Sequence, residues 1–412
     1  VSTTRSAAGV LPRVRAGAAL LGPAFVAAIA YVDPGNVATN TAAGARFGYL
    51  LVWVVVVANV MAGLVQYLSA KLGLVTGMSL PEAVRERLAT PSRLAYWVQA
   101  EIVAMATDLA EVFGGAIALN LLFDLPLPLG GAITGVVATG LLLVRDRAGQ
   151  RPFERVITGL LLVIAVGFAA GLFVSAPSGA GLVGGLVPRF DGSESVLLAA
   201  GMLGATVMPH AVYLHSALAR DRHGTQTGRP LARLLVATRF DVGIAMVFAG
   251  AVNLAMLLLA ATALAGTDGV DTLPAVHAAV GDHLGAGIAL LFAIGLLASG
   301  FASSSVGVYA GAVVMGGLLR RRIPLLARRL LTLVPALALL AAGVNPTWAL
   351  VVSQVVLSFG IPFALVPLVS LTARRSVMGA YANTRTTTVF AWLVAAAVIV
   401  LNIALIYLTV SG

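Results

Sequence analysis

The stretch Ala30-Tyr31-Val32-Asp33-Pro34-Gly35-Asn36-Val37 sets a carboxylate, a proline, a glycine and an amide in the middle of an apolar run long enough to cross a membrane. Proline removes a backbone donor and clashes with the preceding turn, and glycine admits conformations that other residues avoid. Together they unwind a helix locally. At membrane depth such a break is tolerated only where it lines a cavity or is buried in protein. An aspartate there costs roughly 2.5–3.5 kcal/mol on insertion scales unless it is paired or holds an ion. Asp33 also stands where an N-cap would stand for a half-helix beginning at Pro34, and capping and ion binding are compatible.

A second break answers the first. Met208-Pro209-His210 interrupts another apolar run near mid-span, again with a ligand candidate directly before a proline. Five spans separate the two breaks. Five is odd, so the two halves of the chain have opposite topology. Paired interruptions at matching positions of inverted halves are the sequence sign of a transporter's binding site.

Composition agrees with a membrane protein. Of 412 residues, 59% are hydrophobic and only 10% charged, against roughly 25% charged in a soluble domain. Eleven spans are expected, near 18–42, 47–71, 93–120, 127–144, 155–176, 195–218, 238–265, 285–318, 325–343, 347–371 and 388–409. The chain reads as an all-α polytopic membrane protein with one transmembrane domain, 1–412. Its first inverted repeat covers about 18–176, its second about 195–371, and an extra helix about 388–409. The basic N-terminal stretch with Arg5, Arg13 and Arg15 leads into this interrupted run rather than into a cleavable signal. Segments 72–92, 177–194, 219–237 and 266–284 are the longest expected outside the membrane. In the first, Ser79-Leu80-Pro81-Glu82 predicts a short capped surface helix. With no cysteine, disulfides, iron–sulfur clusters and thiolate metal sites are excluded.

The net charge of +10 is a topology signal rather than a nucleic-acid footprint. With the N-terminus cytoplasmic, twenty-four of the 26 Lys and Arg residues fall on the cytoplasmic side, and only Arg46 and Arg189 on the other. The C-terminus is then external. A cell membrane, of the bacterial inner type, is the expected location.

Met208 alone reads as packing, but its place before Pro209 makes it a ligand candidate. A thioether beside carboxylate and amide oxygens favours Mn²⁺, Fe²⁺ or Co²⁺ over Mg²⁺ and Ca²⁺, which want all-oxygen shells. If the helix unwinds around 205–208, the carbonyl of Ala205 becomes a further donor. Glu101, Asp108 and Glu111 share one face of span 3. On one reading Glu101 sits near the cytoplasmic interface while Asp108 and Glu111 pair with Arg328 and Arg329, at the start of span 9. On the other they form a proton relay, preferred for Asp108 and Glu111, and the two readings are compatible. His210 is a metal ligand or a proton site, with the proton or gating role preferred. Asn253 and Ser303-Ser304-Ser305 most simply satisfy backbone or neighbouring helices, with lining of the permeation route the alternative for Asn253, and His223, His277 and His283 fall in loops. GxxxG spacings at Gly44–Gly48 and Gly307–Gly311 suit close helix approach.

The Asp33-Pro34-Gly35-Asn36 motif and the segment Gly204-Ala205-Thr206-Val207-Met208-Pro209-His210 resemble signatures of the Nramp family of proton-coupled divalent metal transporters. Met105-Ala106-Thr107-Asp108-Leu109-Ala110-Glu111, Ser353-Gln354 and Ala373-Arg374-Arg375 are similar to further family segments. The resemblance implies a LeuT-like fold of two inverted five-helix repeats plus an eleventh helix, with helices 1 and 6 broken. It implies Asp33, Asn36, Ala205 (through its carbonyl) and Met208 as metal ligands, with Gln354 joining in some states. It implies that Asp33, Asp108, Glu111 and His210 carry the co-transported proton. Branches of the family that take magnesium or aluminium alter the ligand set, whereas this sequence keeps the transition-metal one.

The expected function is therefore secondary active import of Mn²⁺, Fe²⁺ and similar ions with protons, by alternating access. The metal is substrate rather than cofactor, no cofactor is expected, and the partners are the ion, protons and the lipid bilayer, without nucleic acid or an obligate protein. The competing readings are an amino-acid or organic-cation symporter of the same superfold and a metal channel. An intramembrane enzyme is disfavoured, because H-E-x-x-H is absent.

Overall fold

The computed structural model describes residues 22–411 except Thr225, Asp268, Asp271, Arg322 and Ile323. Arg5, Arg13, Arg15, Arg322 and the expected start of span 1 at 18–21 lie outside the described residues.

The first span is broken. Helix α1 (Pro23–Ala28) tightens into a 3-10 turn (Ile29–Val32), stops at Asp33 and resumes as α2 (Pro34–Phe47). Then come α3 (Val52–Thr76), the short α4 (Leu80–Arg85), α5 (Thr90–Phe123), α6 (Leu127–Ala148) and α7 (Gln150–Ala169). The short α8 (Gly179–Gly185) precedes the second broken span, α9 (Gly192–Thr206) and α10 (Pro209–His223). The rest comprises α11 (Gly228–Ala263), α12 (Leu273–Leu284), α13 (Ala286–Leu319), α14 (Leu325–Ala341), α15 (Pro346–Ala373), α16 (Arg375–Met378) and α17 (Arg385–Ser411).

Among the described residues, nine helical segments are long and apolar enough to cross a membrane. The broken pair α1–α2 and the 17-residue α14 fall outside that count, the first because it is interrupted and the second because it is short. Adding both gives the eleven spans expected.

Boundaries differ where hydropathy falls silent. Segment 219–237 is mostly helix, because α10 runs on to His223 and α11 already starts at Gly228. Arginine and leucine are good helix formers, so the helix continues after the apolar run has ended. Segment 266–284 holds α12, and His277 and His283 sit on it rather than in a solvated loop; His283 Nδ1 donates to Ala263 O at 2.5 Å. The capping box of Ser79 and Glu82 forms as the spacing predicts. Its helix is no surface feature, however. Leu80, Pro81, Ala83 and Val84 are buried, and Leu80 N donates to Ser216 Oγ at 2.8 Å.

The two broken spans run antiparallel. Arg46, near the end of α2, pairs with Glu194 at the start of α9. At the opposite end, Asp241 accepts from Gly22 N and Ala24 N at 3.1 Å each, capping the start of α1. Gln150 there bridges Glu154 at 2.8 Å and Leu218 O, near the end of α10, at 3.3 Å.

Each break leaves carbonyls that need donors, since an orphaned buried polar group costs about 1–3 kcal/mol. Tyr31 O accepts from Asn253 Nδ2 at 2.7 Å and Val32 O from Ser299 Oγ at 2.6 Å. Asn253 Oδ1 in turn accepts from Asn40 Nδ2 at 2.8 Å, so one amide of α11 clamps both sides of the break. Proline raises the same need in α15. Pro362 and Pro367 cannot donate four residues back; the freed carbonyl of Ser358 accepts from Asn402 Nδ2 at 2.6 Å, and that of Phe363 from Tyr96 Oη.

Candidate metal centre

Asp33 sits at the first break with extended backbone (φ −70°, ψ 169°) as the N-cap of α2. Its Oδ1 accepts from Asn36 N at 2.7 Å and from Asn36 Nδ2 at 2.8 Å. The same Nδ2 donates to Ala205 O at 2.8 Å, across to the second broken span. That carbonyl is free because the residue four places on is Pro209, which has no N–H. Asn36 therefore ties the two breaks together through its nitrogen, and its oxygen faces elsewhere.

Gln354 comes from α15. Its amide lies directly over the bare Cα of Gly35, where a β-carbon would overlap it. Met208 forms the second break itself, with extended backbone (φ −80°, ψ 124°) at the N-cap of α10. All five residues expected at the metal site are fully or almost fully buried: Asp33 at 1% exposure, Asn36, Ala205, Met208 and Gln354 at 0%.

Within this cluster Asp33 Oδ2, Asn36 Oδ1 and Gln354 Oε1 have no hydrogen-bond partner among the described residues. All three are acceptors. Several buried, unsatisfied oxygens and no surplus donor suit a cation, since buried polar atoms otherwise find partners. Among the described residues no group of three or more His, Asp or Glu forms a metal cluster. That fits a donor set built from one carboxylate, two amides, a carbonyl and a thioether.

The carboxylates of α5 divide as their surroundings dictate. Glu101 pairs with Arg328 through two bonds, 2.7 Å and 3.2 Å, and Asp108 pairs with Arg329 while accepting from Ser304 Oγ at 3.1 Å. Both arginines, on α14, are buried to within 2% of full burial. The expected pairing thus holds for Asp108, while Glu101, expected near the cytoplasmic interface, takes the other arginine. Glu111 departs from it: no arginine lies within ion-pair distance of it among the described residues, although it is 1% exposed. It lies within electrostatic reach of Asp33, Asp108 and Arg329. Gly114, one turn further along α5, packs its bare Cα on Pro34, which brings this face of α5 to the first break.

The glycines at 307 and 311 have a specific use here. A β-carbon at Gly307 would lie 2.6 Å from Glu111 Oε2, and one at Gly311 would overlap the Arg328 guanidinium. The spacing makes room for charged groups as well as for close helix approach. His210 points its Nδ1 at Thr107 Oγ1, 3.3 Å away, while Nε2 has no partner among the described residues. Its ring therefore turns toward α5, at Thr107.

Sequence reasoning placed Asn253 as a residue satisfying its neighbours, which it is. It did not pair Asn253 with Asn40, nor Ser299 with Val32. Nor did it find the chain from His215 Nδ1 to Gln66 Oε1 (2.7 Å) and from Gln66 Nε2 to Tyr31 Oη (2.5 Å), just on the α1 side of the break. The only available signal was a polar residue in each of several apolar runs.

The family model described as Natural resistance-associated macrophage protein-like matches residues 24–408. A divalent metal cation transporter of Mycobacterium tuberculosis (strain H37Rv) is 66% identical over 394 residues, covering 95% of this chain and 92% of that protein. Among solved structures, the Eremococcus coleocola manganese transporter in complex with an aromatic bis-isothiourea compound superposes with a TM-score of 0.87 at 30% identity, covering 98% of this chain and 88% of that one. The MhsT structure in complex with L-phenylalanine matches with a TM-score of 0.61 at 13% identity, covering 93% and 98%, and shows the fold alone. The fold is the all-helical LeuT-like one, and this chain belongs to the Nramp family.

Proposed function

We propose that this protein imports divalent transition-metal ions, Mn²⁺ first among them, across a membrane together with protons. One observation carries the reading: three buried oxygen acceptors without partners among the described residues lie where two antiparallel broken helices touch, with a thioether at the second break. Asp33 Oδ2, Asn36 Oδ1, Gln354 Oε1, the carbonyl of Ala205 and the sulfur of Met208 are the donors. The carboxylate supplies charge, and the sulfur discriminates against Mg²⁺ and Ca²⁺. The relative's printed name, divalent metal cation transporter, supports the same cargo class.

The donor residues are buried in this conformation. Transport then requires the two inverted halves, about 18–176 and 195–371, to move against each other so that each side opens in turn. With the N-terminus cytoplasmic and the C-terminus external, a cytoplasmic-negative potential favours inward cation movement. Protons pass from Asp33 to Glu111 and Asp108, with His210 facing α5 at Thr107 and the Arg329 and Arg328 pairs leading along α5 away from the break. The metal and the proton are cargo, and no resident cofactor takes part.

An amino-acid symporter of the same fold has no use for the thioether. The test is Mn²⁺ uptake by proteoliposomes with an acidic exterior. Accumulation above the external concentration, lost in Asp33→Ala, is expected. Mere equilibration would point to a channel, and uptake competed by amino acids but not by Co²⁺ would point to the symporter.

A further inference from the structure

Lys71, in the last turns of α3, is only 8% exposed, yet among the described residues no carboxylate pairs with it. Its ammonium donates to Asn383 Oδ1 at 2.8 Å. Asn383 is held for that contact, since its Nδ2 donates to Thr372 Oγ1 and its N to Thr372 O, both at 2.9 Å. The charged group acting on Lys71 is another cation, Arg239, whose guanidinium lies over the Tyr67 ring at 5.1 Å.

Two segments frame this lysine, and both are cationic throughout. Segment 372–385 carries Arg374, Arg375 and Arg385; the first turns of α11 carry Arg229, Arg233 and Arg239. Neither holds a carboxylate before Asp241. Tyr381 joins them, donating from Oη to Gly228 O at 3.1 Å over a small apolar cluster that includes Ala70, Leu74, Leu231 and Leu234. A cavity of about 560 Å³ opens beside Asn383, lined also by Arg375 and Thr384. Elsewhere at this end of the bundle several basic groups do have acids: Arg220 has Glu82 and Asp221, Arg145 has Asp146, and Arg222 has Glu154.

Loop charge that sets topology explains arginines standing in water. It does not explain an ammonium buried against a neutral amide with a guanidinium beside it, because a buried charge calls for a counter-charge. We propose that Lys71, Arg239, Arg375, Asn383 and Thr384 form a site for the phosphate-diester headgroup of an anionic phospholipid. A lipid suits the place better than a soluble anion does. The site lies where α3, α11, α15 and α17 leave the membrane, at headgroup level, with Tyr67 and Tyr381 as interfacial aromatics. Directly beyond Thr384, α17 exposes Val389, Phe390 and Leu393, an apolar face for the acyl chains.

The test is lipid retention by the full-length protein, stripped in detergent and titrated with phosphatidylglycerol or phosphatidylcholine under native mass spectrometry. Phosphatidylglycerol is expected to bind preferentially. Each basic side chain near an anionic headgroup contributes about fivefold, so Arg239→Gln/Arg375→Gln should weaken binding roughly 25-fold. Arg239→Lys/Arg375→Lys, which keeps both charges, should retain most of it. Arg147→Gln/Arg151→Gln removes equal charge from exposed positions at the same end and should change little. Equal binding of the two lipids, or an equal loss in Arg147→Gln/Arg151→Gln, would overturn the site in favour of diffuse attraction. Displacement of the lipid by glycerol phosphate at equal concentration would overturn the lipid assignment in favour of a soluble phosphate.

Discussion

A single methyl group at Gly35 is expected to weaken metal binding sharply while leaving the protein folded. A β-carbon built there overlaps Nε2 and Cδ of Gln354 and comes within 3.1 Å of its Cγ. All three atoms belong to one side chain, so Gln354 swings away and the backbone stays. Gly35 lies in the first turn of α2 and has no positive φ to defend. Alanine is favoured over glycine in a helix by up to about 1 kcal/mol, so the fold gains if anything. The cost falls on the site. Gln354 Oε1 is one of the proposed donors to the ion, and a polar contact with a charged group is worth about 1.5–3 kcal/mol. That converts to a rise of roughly 10- to 150-fold in the KM for Mn²⁺ where KM follows binding. The assay is Mn²⁺ uptake in proteoliposomes for Gly35→Ala, Gln354→Ala and the double variant, with unfolding temperature in detergent alongside. Both single variants should raise KM by similar factors, and the double variant should be no worse than either, because both remove one contact. Additive losses, or an unchanged KM in Gly35→Ala, would refute the reasoning.

Arg329→Met leaves Asp108 buried without its partner and should cost about 3–5 kcal/mol of stability; Arg329→Met/Asp108→Leu should recover most of it in thermal unfolding, and a double variant as unstable as the single would contradict this. Asn253→Ala orphans the Tyr31 carbonyl and the Asn40 amide together, about 2–6 kcal/mol at 1–3 kcal/mol each, while Asn253→Gln should be milder; equal stability of Asn253→Ala and wild type would show that the clamp is idle. Glu111→Gln removes a titratable group without stranding an arginine, so it should reduce proton entry during Mn²⁺ uptake while preserving the fold. Unchanged proton flux in that variant would remove Glu111 from the route.

What was legible in the sequence was whatever interrupts a pattern. Asp33 and Met208 announce themselves because each precedes a proline inside an apolar run, and the loop arginines fix the order of spans. The carbonyl of Ala205 follows by counting four residues back from Pro209. Gln354 was different: read alone, a glutamine in span 10 looks no different from Gln66 in span 2. Only the bare Cα of Gly35 beneath it explains its place, and that juxtaposition of α15 with α2 is a property of the packed bundle. The acidic face of α5 was visible as a face, but which acid would lack an arginine was not. Arg328 and Arg329 are adjacent in sequence, yet they reach carboxylates two turns apart and stop short of the third. The charged ends of α10 and α11 stayed hidden because hydropathy marks where a helix leaves the apolar run rather than where it ends.

The most direct test of the metal site is a competition profile, measuring inhibition of Mn²⁺ uptake by Fe²⁺, Co²⁺, Mg²⁺ and Ca²⁺ in wild type and in Met208→Ala. The soft sulfur at the second break is the feature that separates transition metals from alkaline earths. Met208→Ala should therefore keep much of its Mn²⁺ transport while Ca²⁺ and Mg²⁺ become effective competitors. An unaltered profile would contradict the assignment of Met208 as a ligand, and with it the claim that this site selects its cargo through a thioether.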